Sequence, residues 1–149
     1  MKIARRHFLK GTLASILGTT LLPDFVIADW SETAFGAKTT AEATMALFNA
    51  EPEDNPNIIL NMPPKAENGA VVRTEVTANI PKVESITIIV ENNPLPLTGH
   101  FKLGEGAEPY ISTRIKMAKS SKVIVVVKAD GKLYATSQEV EVAEGGCAG

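Results

Sequence analysis

The sequence predicts an all-β fold, an antiparallel sandwich of about seven strands with a short N-terminal helix and a flexible C-terminal arm. Three observations predict it: apolar and polar residues alternate with period two over several segments, turn residues separate those segments, and the last of them runs into a glycine-rich tail.

The helix comes first. Thr39 followed by Glu42 is a capping-box pattern, and the apolar residues Met45, Leu47 and Phe48 carry the helical stretch to about Asn49. Asn55, Pro56 and Asn57 then break any helix, and from Ile58 onward the signals are strand and turn.

Val72, Thr74, Val76, Ala78 and Ile80 share one face of an extended segment, with Arg73, Glu75, Thr77 and Asn79 on the other, which marks a half-buried strand. Residues 85–90 are rich in β-branched side chains and read as a strand buried on both faces. Ile111, Thr113, Ile115 and Met117 oppose Ser112, Arg114 and Lys116. Asp130-Gly131 is a two-residue hairpin signal, since both positions tolerate positive φ. Strands are expected near residues 58–62, 71–80, 83–91, 97–103, 110–117, 122–128 and 132–142. This number and spacing suggest an immunoglobulin-like sandwich, a scaffold that by itself says little about function.

The front of the chain reads as an address. Arg5 and Arg6 precede His7, Phe8, Leu9 and Lys10, and an apolar run follows, the order of a twin-arginine export signal, although Ala4 stands where Ser or Thr is usual. The run is about ten residues, too short for the roughly 30 Å hydrocarbon layer, so no permanent membrane anchor is expected. Cleavage after Val26-Ile27-Ala28 would leave Asp29 as the mature start and place the protein in the periplasm. The chain of 149 residues thus divides into a signal peptide at 1–28, a sandwich domain at 29–142 and an arm at 143–149.

Apolar residues make up 44% and charged residues 21%, which argues against gross disorder and against a polytopic membrane protein. Removing Lys2, Arg5, Arg6, Lys10 and Asp24 from the 15 basic and 17 acidic residues leaves 11 and 16, a formal charge of −5. A nucleic-acid partner is therefore not expected, because no basic face remains to neutralise phosphates.

The chemistry falls on the tail. Cys147 is the single cysteine, so no internal disulfide is available, although an exposed thiol can link two copies as a Cys147 disulfide dimer. Gly145 and Gly146 before it, and Ala148 and Gly149 after it, offer no side chain to pack, so the tail is expected to be mobile. Five residues lead from Val142 to Cys147, a reach of roughly 16–18 Å at full extension. The neighbours Glu139, Glu141 and Glu144 disfavour a thiolate, so the sulfur reads as a handle on which other proteins act rather than as an enzyme nucleophile. His100 reads as a structural or surface residue, Glu51, Glu53 and Asp54 as a solvated loop, and residues 91–97 as a rigid turn. No catalytic residue, metal site or cofactor is expected, since no phosphate loop, ligand spacing or catalytic set stands in the chain. On the residues alone two other readings remain open: a thiol-redox protein whose Cys147 is itself reactive, and an exported binding module in which it is incidental.

Nearly the whole chain resembles the SoxY family, the sulfur-carrier subunit of the periplasmic thiosulfate-oxidising Sox system. The resemblance rests on the GGCAG tail, close to the family's GGCGG arm, on the RRxFLK signal, on the helix over residues 39–49, on AENGAVV at residues 66–72, and on the hairpin leading into the tail. It implies a non-enzymatic carrier that binds sulfur-oxidation intermediates covalently on Cys147. It implies a heterodimer with a SoxZ-type subunit exported together with it, loading of thiosulfate by SoxAX, hydrolysis by SoxB, and in some systems oxidation by SoxCD. Ala148, where the family has glycine, implies a tighter fit of the arm in partner channels.

Overall fold

A computed structural model of the chain describes residues 31–143. Two helices lead. Helix α1 spans Glu32–Phe35, with the Ser31 hydroxyl accepting from the Ala34 amide. Helix α2 spans Thr40–Phe48, opened by the expected capping box: the Glu42 amide donates to Thr39 Oγ1 and the Thr39 amide to Glu42 Oε2, each at 3.2 Å. Asn49 ends it in the left-handed conformation, φ 51°, as Asn can without a large penalty.

Nine strands follow: β1 Glu53–Asp54, β2 Ile58–Asn61, β3 Lys65–Ala66, β4 Val72–Ala78, β5 Val83–Val90, β6 Leu97–Lys102, β7 Tyr110–Ile115, β8 Ser121–Ala129 and β9 Lys132–Val142. All seven expected strands are present within a few residues of their expected bounds. The other two, β1 and β3, are two-residue strands, and both run parallel to β9, so the sandwich is not wholly antiparallel as expected. Glu53 and Asp54, read from sequence as loop, thus form an exposed edge: they pair with Tyr134 and Ala135, and the Asn55 amide donates to the Ala135 carbonyl.

The larger sheet has the order β1-β9-β8-β5-β6, with β3 also on β9; the smaller has the order β2-β4-β7. Between β1 and β3 the chain crosses to the smaller sheet as β2. The Gln138 side chain bridges the gap this leaves along β9 by donating to the Met62 carbonyl.

Period-two alternation puts Val72, Thr74, Val76 and Ala78 of β4 inward, and their buried side chains meet Ile86, Ile88 and Val90 of β5 and Val123, Val125 and Val127 of β8. The opposite face of β5 and β8, with Ile89 and Val126, packs under the helices against Ala34, Ala43, Leu47 and Phe48. Strand β5 is therefore buried on both faces from Ser85 to its end, as its run of β-branched residues predicts. Each fully buried Ile or Val contributes about 1.5–3 kcal/mol.

The β8–β9 hairpin turns through Asp130, φ 50°, and Gly131, φ 74°, the two positive values a tight primed turn needs. This turn lies at one end of the sandwich and the last residue of β9 at the other. Among the described residues no helix is long and apolar enough to cross a membrane.

Candidate functional site

The end of β9 leads to the only cysteine in the sequence, and the fold holds that end firmly. Backbone pairing of β8 with β9 stops at Ser121↔Val140. On the other edge β3 takes over, with Lys65 opposite Glu141 and Ala66 opposite Val142. Three successive amides of the strand end are each engaged. Glu141 donates to the Pro64 carbonyl at 2.9 Å and Ala143 to the Ala66 carbonyl at 3.0 Å, while Val142 between them donates to Ser120 Oγ at 2.9 Å.

The stretch over residues 66–72 forms a cradle against this end. Asn68 shapes its turn by accepting the Ala70 amide on Oδ1 and the Val71 amide on its carbonyl. Gly69 is buried, its carbonyl accepts the Met117 amide at 2.7 Å, and a Cβ there would come within 2.9 Å of Val142 Cγ1. A glycine is required because the turn passes directly over the last strand residue.

Within residues 91–97 the expected turn runs over residues 91–95 before Leu97 opens β6, and it braces the same end. The Asn92 amide donates to the Ser121 hydroxyl and its side chain to the Ser120 carbonyl; the Asn93 side chain donates to the Lys116 carbonyl and accepts the Ala118 amide. These side-chain bonds tie the β5–β6 and β7–β8 connections together, and the Met117–Gly69 backbone bond joins the 66–72 stretch to them at the exit of β9.

His100 lies elsewhere, on β6, with Nδ1 at 2.8 Å from the Thr87 hydroxyl and its ring edge-on to Phe48 at 5.9 Å. It is a structural residue between the larger sheet and α2. Two ion pairs lie at the other end of the sandwich. Lys128 and the Gly131 amide both bond Glu84 and hold its carboxyl below the usual carboxylate range, while the Asp130 carboxylate raises Lys82. Both cluster at the β8–β9 turn, beside an open groove of about 550 Å³ lined by Ile80, Val83, Leu103 and Pro109. On the smaller sheet Arg73 lowers Glu75, which also accepts from Asn61 and Tyr110. Among the described residues no group of three or more His, Cys, Asp or Glu is placed to hold a metal ion.

The predicted attachment residue Cys147, its neighbours Gly145, Gly146, Ala148 and Gly149, and the export-signal residues Arg5, Arg6, Phe8 and Leu9 lie outside the described residues. What sequence reasoning missed is the seat of the strand end. Gly69 could have been suspected from the AENGAVV stretch, whereas Ser120 carries no sequence signal, because its bond joins residues 22 positions apart.

Residues 44–147 match a model of the family described as sulfur oxidation protein SoxY. Among solved structures, the chain is similar to the sulfur carrier protein SoxY from Chlorobium limicola f thiosulfatophilum, at 36% identity and a TM-score of 0.63, over 69% of this chain and 94% of that one. Superoxide reductase (neelaredoxin) from Ignicoccus hospitalis also matches, at 17% identity and TM-score 0.53, over 58% of this chain and 80% of that one. A point variant of the same reductase matches at 19% identity and TM-score 0.53, over 70% of this chain and 93% of that one. At such identities these two share the fold alone. A search of curated protein sequences returned no match.

Proposed function

The chain belongs to the SoxY family of sulfur oxidation proteins, and from that membership we propose that it carries sulfur-oxidation intermediates covalently on Cys147 and presents them to partner enzymes. The observation that carries this reading is a seated strand end beside the cysteine: residues 141–143 are bonded to the body, and Cys147 follows Ala143 by four positions after a glycine pair. Four residues extend at most about 13–14 Å. That length suits a stalk entering a neighbouring protein's active site.

Loading joins the Cys147 thiol to thiosulfate as a cysteine S-thiosulfonate. The new bond is S–S, one proton leaves the thiol, and two electrons pass to the haem of a SoxAX-type enzyme. A SoxB-type hydrolase then adds water across the bond to the terminal sulfonate, releasing sulfate and leaving a persulfide on Cys147. A SoxCD-type enzyme, where present, oxidises that sulfur on the arm. The chain itself supplies a sulfur and a tether, and catalyses no step. Covalent attachment prevents escape of the intermediate, and a short linker gives each active site an effective concentration of order millimolar.

The export signal and the family membership support a periplasmic protein that leaves the cytoplasm folded together with a SoxZ-type subunit. The deciding experiment is intact-mass analysis of protein from the periplasm of cells oxidising thiosulfate. Adducts of about +112 or +32 Da on Cys147, for a thiosulfonate or one added sulfur, are expected, and both vanish with Cys147→Ser. A tail found only as free thiol or disulfide dimer during active sulfur oxidation overturns the reading.

A further inference from the structure

We propose that the outer face of the smaller sheet, β2-β4-β7, is a transient docking surface for a partner protein whose matching face carries carboxylates around a small apolar centre. The proposal rests on the carrier reading above and deepens it, by assigning a surface to the enzymes that would act on the carrier.

The two sheets differ in what lies outside them. Helices α1 and α2 pack on the outer face of the larger sheet. On the smaller sheet the outward side chains fall into rows set by the strand register: Ile59, Thr77 and Tyr110, then Asn61, Glu75 and Ser112, then Arg73 and Arg114. Lys116 follows one step past the inward Ile115, and Val71 stands one step before the inward Val72, so the face gains another exposed cation and another exposed apolar side chain. Ile59, Tyr110 and Val71 are 52%, 42% and 54% exposed, which places three of the five exposed large apolar side chains among the described residues on this one face.

The charge here runs against that of the chain, which is net acidic. Arg73 and Arg114 stand directly opposite each other, and like charges in that position destabilise a sheet. Glu75 is the only carboxylate in the three rows, and Arg73, Asn61 and Tyr110 already bond it. Among the described residues Arg114 and Lys116 have no carboxylate partner.

These features select the occupant. A second copy using the same face brings no free carboxylate, so its cations would meet cations or apolar side chains. A different protein with acidic side chains around an apolar centre satisfies both. Size then sets the lifetime. Three strands about 4.8 Å apart, with the seven residues of β4 rising about 3.3 Å each, cover roughly 14 by 23 Å. That footprint of about 300 Å² is well below the roughly 800 Å² that each partner gives to a standard stable interface. A small, charge-steered contact suits enzymes that take turns on one carrier.

The test uses the mature full-length chain paired with its SoxZ-type subunit, its cysteine kept reduced, titrated calorimetrically with SoxAX-type and SoxB-type enzymes of the same organism. Arg114→Glu combined with Lys116→Glu is expected to raise Kd for at least one of the two enzymes about tenfold at about 20 mM salt, the gap closing to about twofold at about 500 mM. Lys38→Glu combined with Lys132→Glu changes the net charge equally but off this face, and should stay within about twofold of wild type throughout. Thermal unfolding of both variants, and their pairing with the SoxZ-type subunit, should match wild type. An unchanged Kd for both enzymes, or an equal loss in the off-face variant, overturns the proposal and leaves the carrier reading standing. Lost pairing with the SoxZ-type subunit overturns it too, because the face would then be a permanent interface. A wild-type chain that binds neither enzyme overturns the proposal, and if it also takes up no thiosulfate the carrier reading falls with it.

Discussion

Gly69 and Met117 meet backbone to backbone, the Met117 amide donating to the Gly69 carbonyl at 2.7 Å. A Cβ at Gly69 would run into the Met117 carbonyl oxygen and press on Val142 Cγ1. Neither neighbour yields easily. Met117 is fully buried in the main core, and Val142 is bonded to Ser120 while its neighbours Glu141 and Ala143 are bonded to the Pro64 and Ala66 carbonyls. Gly69→Ala is expected to lower stability by about 1–3 kcal/mol, the usual range for forced overpacking. Denaturant unfolding followed by far-UV circular dichroism measures it, and an unshifted midpoint would show that the turn gives way freely.

Strand β5 sends consecutive side chains into two different cores, Ile88 between the sheets and Ile89 beneath the helices. Ile88→Ala and Ile89→Ala should each cost about 2–5 kcal/mol, since both side chains are fully buried. Hydrogen exchange separates them. Ile89→Ala should loosen the α2 amides more than those of β4, and Ile88→Ala should show no such bias. Equal loosening of α2 by both variants would mean that the two clusters act as one core.

Acid should weaken the turn end of the sandwich. Lys128 and the Gly131 amide favour the charged form of Glu84, so its folded-state pKa lies below the ordinary value of 4.5. A carboxyl depressed in this way contributes stability above its unfolded pKa and loses it as pH falls through the folded one. The pair is solvent-exposed and its contribution small and salt-sensitive. Thermal melts of wild type and Glu84→Gln should therefore differ most near neutral pH and converge well below pH 4.5. A gap that persists at low pH would assign the difference to packing instead of charge.

Seven strands, the helix cap and the Asp130-Gly131 turn were legible in the sequence because each rests on local chemistry: alternation over at least four residues, a capping pair three apart, two positions with positive φ. Strands β1 and β3 were not, since two residues carry no periodicity and both exist only because the far edge of β9 needs partners. Helix α1, four residues long, is likewise below what periodicity resolves. At the site the contrast is the same. A lone cysteine in a glycine tail is visible in composition, whereas the seat at its root is built from Pro64, Ala66, Gly69 and Ser120, which only the sheet topology brings to Val142 and its neighbours.

Stiffening the stalk should separate chemical from enzymatic access to the sulfur. Proline locks φ near −65° and lacks an amide hydrogen, so replacing both Gly145 and Gly146 by Pro turns a permissive pair into a rod of nearly the same contour length. A glycine stalk of this kind packs no side chain against the body, so on the tether reading thermal unfolding should match wild type. Iodoacetamide should still label Cys147 at a rate within about twofold, because a small reagent in free solution needs no particular stalk geometry. Loading by a SoxAX-type enzyme, which requires the stalk to follow a path set by another protein, should fall at least about tenfold, the counterpart of roughly 1.4 kcal/mol of misfit. If the rigid stalk is loaded as fast as the native one, the glycines serve some purpose other than conformational freedom, and the tether account of this arm has to be replaced.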